Sequence, residues 1–189
     1  MIIVFGVFCA PFILSWWFIN YTDVIEEGKK SNHGDLIIPA RPLPNLDLFD
    51  PLKEERSGKL HGKWSFFYIT QNGCDKICIE NLYRMRQLRW TAGKDDHRVQ
   101  RVLLIVGNEI PTKEIFNDYA GQWLVNKDVI NIDLLLKNFS LSEQDQPEKM
   151  HRLYIVDPHG NLMMSYPRSA KPRGIIKDLK KLLKTSKIG

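Results

Sequence analysis

Hydrophobic and polar positions divide the chain into an uncharged start, an aperiodic segment and a regular region. The first 22 residues carry no charged side chain and place Trp16, Trp17 and Tyr21 towards their far end. An apolar helix of this length is about 30 Å long, which matches a bilayer core, and Trp and Tyr favour the headgroup layer. The pattern therefore predicts a transmembrane anchor over residues 1–22. A cleaved signal peptide is the alternative, but its basic start and its small-x-small cleavage site are not evident here.

Residues 23–58 form the aperiodic segment. They contain Pro39, Pro42, Pro44 and Pro51 among turn-forming residues. Such a composition is typical of extended chain and turns. We therefore predict a linker that follows the surface of a domain formed by residues 59–189.

The regular region begins with a strand, a helix and a second strand. Residues 63–70 are rich in aromatic residues, residues 75–90 follow a helical pattern that ends before Gly93, and residues 101–106 are an apolar run that ends before Gly107. This order predicts a βαβ unit with parallel strands.

The rest of the regular region is less uniform. Between residues 111 and 141 the pattern allows a helix at 112–120, a short strand at 123–125 and a helix at 130–139. Residues 152–156 and 161–166 flank Asp157-Pro158-His159-Gly160 and predict a β-hairpin, and a helix follows Pro172 and Gly174. The whole is β-α-β, a variable region and β-β-α, which is the α/β plan of a thioredoxin-like domain.

The formal net charge of +5 lies entirely outside the first 22 residues. Much of it comes from lysines of the last helix, whose apolar residues fall on one helical face. We expect this helix to pack on the domain with a solvated basic face, although contact with anionic lipid or an acidic partner is an alternative. Basic residues interleaved with aromatic ones are lacking, so we expect no nucleic-acid partner.

Cys74 and Cys78 lie where the first strand turns into the helix. Ligands usually bind at this end of an open α/β sheet, and a helix N-terminus lowers the pKa of a thiol, although Asp75 opposes that shift. The two cysteines share one helical face, with Cα atoms about 6 Å apart, which permits a reversible disulfide or a two-coordinate Cu(I) site. A purely structural disulfide is the alternative. Cys9 falls in the predicted anchor, where we expect it to face lipid or to pack.

Other chemistry is poorly supported. A zinc site would need a second pair of ligands, and covalent haem would need C-x-x-C-H. Neither is present, and neither is a phosphate-binding glycine loop or a serine-nucleophile elbow.

These features resemble the Sco/SenC family of membrane-anchored thioredoxin-like proteins, which help deliver copper to cytochrome c oxidase. The likeness includes the N-terminal anchor and the sequences Gly62-Lys63-Trp64, C-x-x-x-C at Cys74 and Cys78, and Tyr154-Ile155-Val156-Asp157-Pro158-His159-Gly160. The chain is more similar still to small Sco-like transmembrane proteins encoded beside cytochrome oxidase genes in proteobacteria. That likeness is carried by Cys74-Asp75, Leu82-Tyr83-Arg84-Met85-Arg86-Gln87, Arg98-Val99-Gln100-Arg101-Val102 and the ending from Asp178.

The resemblance implies a copper site but does not supply all of its ligands. Sco proteins usually place proline after each cysteine, where Asp75 and Ile79 stand here, and their third ligand, a histidine, corresponds to Lys149. If the strand reaches back that far, His151 lies on the same face as Lys149 and would serve as a shifted third ligand. A half-exposed strand histidine is the alternative.

Other residues with metal-binding side chains are expected to play no part in the site. Met85 carries a soft sulfur but is expected in the core. His159, at the hairpin turn, and His33, in the linker, are expected to face solvent.

The resulting hypothesis is an assembly factor, rather than an enzyme, for a haem-copper (cytochrome c) oxidase. It would handle Cu(I) or exchange thiols and disulfides through Cys74 and Cys78, and its partner would be an oxidase subunit or another assembly factor. The resemblance implies the bacterial inner membrane and a periplasmic domain, although Lys29 and Lys30 after the anchor favour the cytoplasm by charge count.

Two alternatives remain open. One is a non-catalytic, membrane-anchored interaction module in which Cys74 and Cys78 form a structural disulfide. The other is a general thiol oxidoreductase, which fits less well because C-x-x-C is the usual spacing in that class.

Overall fold

The computed structural model describes residues 2–21, 32–53, 55–71, 73–127 and 130–188. The chain divides into two compact units, residues 1–31 and 32–189. In the first unit, helix α1 spans Ile2–Tyr21, as the apolar pattern predicts. Among the residues that the structure describes, no helix is both long and apolar enough for a membrane crossing. Insertion of α1 into a membrane therefore stays a prediction.

The second unit is a sheet flanked by helices. Its described strands are β1 (Asp35–Pro42), β2 (Asp47–Asp50), β3 (Glu55–Lys59), β4 (Trp64–Thr70), β5 (Val99–Ile105), β6 (Gln122–Val125), β7 (Leu153–Val156) and β8 (Asn161–Tyr166). Its described helices are α2 (Lys76–Trp90), α3 (Lys113–Asp118), α4 (Ile132–Phe139) and α5 (Pro172–Thr185). A 3₁₀ helix, Gly93–Arg98, leads from α2 into β5.

The eight strands form one sheet in the order β1-β8-β7-β4-β5-β6-β2-β3. Strand β4 pairs with β5 in parallel, and Thr70 lies opposite Ile105, so these two strands end side by side. The loops that follow them therefore meet at one edge of the sheet. This arrangement confirms the predicted β4-α2-β5 unit, and the β7-β8 hairpin around residues 157–160 is confirmed as well.

The structure differs from the linker predicted over residues 23–58. Residues 22–31 lie outside the described residues, but β1 pairs with β8, and β2 pairs with both β3 and β6. Strand β1 contains Pro39 and Pro42 and buries only Ile37, so it lacks the alternation that identifies a strand. Proline is tolerated there because β1 lies at the edge of the sheet, where a missing N–H breaks no ladder.

The core has one layer on each face of the sheet. Strand β4 is buried at every position because its alternate side chains fill both layers. Tyr68 lies in the layer with α2 and α5, whereas Phe67 stacks on Phe139 of α4 with ring centroids 4.8 Å apart. Each fully buried side chain of this size contributes about 1.5–3 kcal/mol.

Helix α5 packs as its sequence pattern predicts. Ile175, Leu179 and Leu183 are buried, while its lysines at 177, 180, 181 and 184 are exposed. The basic residues therefore form a solvated face.

Candidate functional site

Two neighbouring loops form the candidate site at the edge where β4 and β5 end. Gly73, in the loop after β4, has φ +51°, a left-handed conformation that glycine adopts without strain. Its N–H donates to the carbonyl of Glu109, in the loop after β5, at 2.9 Å. The second loop thus fixes the segment that carries the cysteines.

Cys74 and Cys78 are joined by a disulfide. Their Cα atoms are 5.0 Å apart, closer than the distance expected from helical spacing, because Cys74 precedes the first turn of α2. Cys78 is fully buried beside Leu82 and Met85, whereas Cys74 is half-buried. The pair therefore meets solvent through Cys74.

Asp75 is the N-cap of α2. Its Oδ1 accepts the backbone N–H of Cys78 at 2.8 Å. Such a cap contributes about 1 kcal/mol to helix stability. Besides the effect of its charge on the thiols, Asp75 therefore orients the helix start that carries Cys78.

A buried tyrosine connects β4 to His151. The hydroxyl of Tyr68 lies 3.0 Å from His151 Nδ1. Burial raises the pKa of Tyr68, a hydrogen bond with Asn81 lowers it and the negative charge of Asp75 raises it, with a net pKa of about 12. Tyr68 is therefore a neutral hydroxyl at physiological pH. Its partner Asn81 also bonds the carbonyl of Ile77 in the first turn of α2.

His151 does not lie on a strand, which corrects the geometry assumed from the sequence. Strand β7 begins at Leu153, and His151 occupies a turn with φ +50°. The one-pleat relation with Lys149 requires a strand that reaches back to residue 149, and that condition is not met. Among the described residues, no group of three His, Cys, Asp or Glu side chains is arranged to hold a metal ion. The assignment of Cys74, Cys78 and His151 as copper ligands stays a prediction.

The remaining candidates lie where the sequence places them. Met85 is fully buried in the core. His159 is exposed at the hairpin turn, and His33 is exposed with Nδ1 3.0 Å from Asp178 Oδ1. Cys9 is in α1 and forms no disulfide.

Sequence reasoning missed Tyr68 and the backbone contact of Glu109. The sequence gives little signal for Tyr68, because Ser65 and Thr70 of the same strand also carry hydroxyls. Its partner is 83 residues away, beyond the reach of local patterns.

Comparisons with known proteins agree with this architecture. Residues 64–186 match the model of a family described as "transmembrane-like, thioredoxin-like, C-terminal domain". No curated protein matches the chain.

Three solved structures are similar in fold. Bradyrhizobium japonicum ScoI with copper bound is 14% identical, with a TM-score of 0.53 over 74% of this chain and 98% of that one. A SCO1/SenC family lipoprotein from Bacillus anthracis is 18% identical, with a TM-score of 0.54 over 78% and 99%. BsSco, described as a member of the Sco family of cytochrome c oxidase assembly proteins with a disulfide switch, is 14% identical, with a TM-score of 0.54 over 75% and 93%. At these identities the likeness confirms the thioredoxin-like α/β fold.

Proposed function

Because the chain belongs to the family of transmembrane-like, thioredoxin-like C-terminal domains, we propose that it is a membrane-anchored assembly factor for a haem-copper (cytochrome c) oxidase. One observation carries the proposal. A disulfide lies at the strand-to-helix turn, with Cys74 half-buried and Cys78 buried. This is the end of the sheet where α/β proteins bind ligands, and the arrangement suits chemistry at one accessible sulfur.

Thiol-disulfide exchange would proceed through Cys74. A partner thiolate attacks Cys74 Sγ and forms a mixed disulfide, and Cys78 leaves as a thiolate and takes up a proton. A second thiolate of the partner then attacks the partner's own sulfur, and Cys74 leaves as a thiolate. Two electrons pass to the pair while the partner dithiol becomes a disulfide. Burial of Cys78 directs the attack to Cys74.

Cu(I) is the proposed cargo of the reduced pair. Two thiolates are soft donors of the kind that Cu(I) prefers. His151 would bind through Nε2, because Nδ1 already lies within hydrogen-bonding distance of Tyr68. Histidine ligands usually use their second ring nitrogen in this way.

The similar structures support both chemistries and the partner. ScoI is solved with copper, and BsSco is described by its disulfide switch and its family's role in oxidase assembly. We extend these properties to this chain as a proposal, with an oxidase subunit or another assembly factor as the partner. We further propose that α1 lies in the bacterial inner membrane and that the domain faces the periplasm, where disulfides persist.

A redox titration separates exchange from a structural disulfide. The full chain in mild detergent would be equilibrated with glutathione buffers, and free thiols counted by alkylation and mass spectrometry. We expect the Cys74–Cys78 pair to have a midpoint reduction potential above about −300 mV, so that the more reducing glutathione buffers reduce it. The Cys9→Ser variant removes the background of the third cysteine. A pair that stays oxidised throughout favours the alternative, a non-catalytic interaction module.

Copper binding is tested on the reduced full chain. Anaerobic titration with Cu(I) against a chromophoric chelator would compare wild type, Cys78→Ser and His151→Ala. We expect one bound Cu(I), an affinity at least about a hundredfold lower in Cys78→Ser and about tenfold lower in His151→Ala, since an imidazole is a weaker Cu(I) donor than a thiolate. No binding by wild type would sink the copper proposal, and an unchanged His151→Ala variant would remove His151 from the site.

A further inference from the structure

Three arginines meet at the opposite end of α2 from the cysteines. Arg86 and Arg89 lie in its last two turns, and Arg101 lies on β5 opposite Phe66 and Gln122. Arg89 follows Cys78 by eleven residues, or about 16 Å along the helix. This arginine cluster, Arg86, Arg89 and Arg101, is thus separate from the disulfide.

Arg101 is almost fully buried, at 2% exposure. Its Nη2 donates to the carbonyls of Tyr119, at 3.4 Å, and Ala120. Within the described part of the chain, Arg101 Nε and Nη1 are buried without an acceptor, and so is Arg86 Nε. Buried guanidinium nitrogens are normally bonded, so the cluster has donors to spare.

Gln122 does not provide acceptors for all of these unbonded nitrogens. Its Oε1, opposite Arg101 in the sheet, is also buried without a donor among the described residues. A bond between the two side chains would still leave an unbonded nitrogen on Arg86.

Two of the three arginines also lack a balancing negative charge among the described residues. Arg89 pairs with Asp96, with Nη2 and Oδ2 3.6 Å apart, whereas no described carboxylate forms an ion pair with Arg86 or Arg101. Burial, together with the positive charges of Arg89 and Arg86, lowers the pKa of Arg101 to about 10. A bound anion would relieve both the desolvation and this repulsion.

Gly121 leaves an open position beside two of the arginines. It is exposed, with φ +78°, and a Cβ built on it would lie 3.4 Å from Arg101 Nη2 and 4.0 Å from Arg89 Nη1. Apart from the adjacent residues of the chain, no other heavy atom lies within 4 Å of this added Cβ. Two guanidinium groups therefore border one solvent-facing point.

Aromatic rings hold the third arginine. Arg86 Cζ lies 5.4 Å from the ring centroid of Tyr83, 5.2 Å from that of Trp90 and 5.1 Å from that of Tyr119. Its Nη1 also donates to the carbonyl of Asp118 at 2.6 Å. The guanidinium is thus fixed before any ligand arrives, which reduces the entropy lost on binding.

We propose that the arginine cluster binds an oxyanion, a phosphate or carboxylate group, at the position beside Gly121. A purely structural role accounts for part of the arrangement, since cations complement the carboxyl end of α2 and Arg101 bonds the carbonyls that follow α3. That role does not use the open position, which Arg101 Nη2 and Arg89 Nη1 border. Arginine is the side chain best suited to planar oxyanions.

Inorganic phosphate is the first probe. Thermal unfolding of the full chain in mild detergent would be followed with phosphate and with sodium chloride at equal ionic strength. We expect the midpoint to rise with phosphate concentration and not with chloride, as for a ligand that binds the folded state. Equal responses to the two salts would overturn the proposal.

Variants assign the response to the cluster. Arg89→Gln should weaken phosphate binding at least about tenfold, and Arg89→Lys should restore part of it, because a point charge replaces a planar fork. The control Lys137→Gln removes one positive charge from an exposed position of α4 and should change phosphate affinity less than about twofold. Equal losses in Arg89→Gln and Lys137→Gln would contradict the assignment.

Acetate distinguishes the two sources of the oxyanion. A response to phosphate alone assigns a phosphate-bearing ligand, whereas an equal response to acetate assigns a carboxylate. Either result supports an oxyanion site, and no response to either overturns it. The test does not involve Cys74 or Cys78, so its outcome is independent of the proposed redox and copper function.

Discussion

Asp178 and Arg101 are charged side chains buried to nearly the same extent, at 3% and 2% exposure. Asp178 accepts from the N–H of His33 at 2.8 Å, the N–H of Gly34 at 3.0 Å and the hydroxyl of Tyr166 at 2.9 Å, and its Oδ1 lies 3.0 Å from His33 Nδ1. Arg101 bonds two carbonyls through a single nitrogen, and its other two nitrogens are buried without described partners. The two side chains are therefore equally buried, but only Asp178 has a hydrogen-bond partner at each of its charged atoms.

The difference separates a structural charge from a binding one. Asp178 ties the start of the second unit to α5 and β8, and the groups around it match its acceptor sites. Burial raises the pKa of Asp178, but hydrogen bonds from His33, Gly34 and Tyr166 lower it by more, so the net shift is downward. Burial lowers the pKa of Arg101, and nearby arginines reinforce that shift. A complete set of bonds stabilises the buried charge, whereas an incomplete set favours a ligand.

The largest expected effect follows from removing the charge of Asp178. Asp178→Asn keeps the shape but turns one acceptor into a donor that faces other donors. We expect a loss of about 2–3 kcal/mol in the free energy of unfolding at pH 7. Denaturant unfolding of the full chain, followed by far-UV circular dichroism, measures it. Asp47→Asn, at an exposed position, should change stability by less than about 0.5 kcal/mol. A loss below about 0.5 kcal/mol for Asp178→Asn would contradict the stabilising role of Asp178 and its contrast with Arg101.

The same difference should depend on pH. Because the pKa of Asp178 is lowered in the folded state, its stabilisation is present above the unfolded pKa of about 4 and is lost as pH falls through the folded value. The gap between wild type and Asp178→Asn should therefore shrink below about pH 4. Unfolding midpoints at a series of pH values would show it, and a gap that grows on acidification would contradict the downward shift.

Local sequence signals identify the cysteine end of α2 but not the arginine end. One continuous stretch of sequence contains strand β4, the helix after it and both Cys74 and Cys78. Its local pattern therefore predicts all of them. The arginine cluster joins α2, β5 and the turn at Gly121. Arg86 and Arg89 are neighbours on one helix, but Arg101 and Gly121 join them only through the packing of α2 on β5 and the pairing of β5 with β6, which no local pattern reveals.

Edge strands and turns limited the rest of the prediction. The prolines of residues 23–58 predict a linker, but the edge position of β1 tolerates Pro39 and Pro42 within a strand. A face shared by His151 and Lys149 requires β7 to extend back to residue 149, but the chain turns at His151 with φ +50°. Such a turn depends on contacts with the rest of the domain, among them the one with Tyr68.

A smaller effect comes from removing one donor to Asp178. Tyr166→Phe deletes the hydroxyl that bonds Oδ2. Burial and the charge of Asp178 raise the pKa of Tyr166, so this hydroxyl donates as a neutral group at all ordinary pH values. We expect a loss of about 1–1.5 kcal/mol, measured by the same unfolding experiment. The control Tyr83→Phe, at an exposed ring, should lose less than about 0.5 kcal/mol in the free energy of unfolding. An equal loss in both variants would show that the Tyr166 hydroxyl does not stabilise Asp178.

The smallest expected effect is at Arg101, although it is as buried as Asp178. Arg101→Met removes bonds to the carbonyls of Tyr119 and Ala120, but it also removes a desolvated cation that Arg86 and Arg89 repel. These contributions oppose one another, so we expect a change below about 1 kcal/mol in chloride, as for other buried charges replaced by apolar groups. In phosphate, wild type should gain stability and the variant should not. A loss of about 3–5 kcal/mol in chloride, the size seen when a buried ion pair is broken, would instead show that Arg101 is satisfied in the folded chain as Asp178 is.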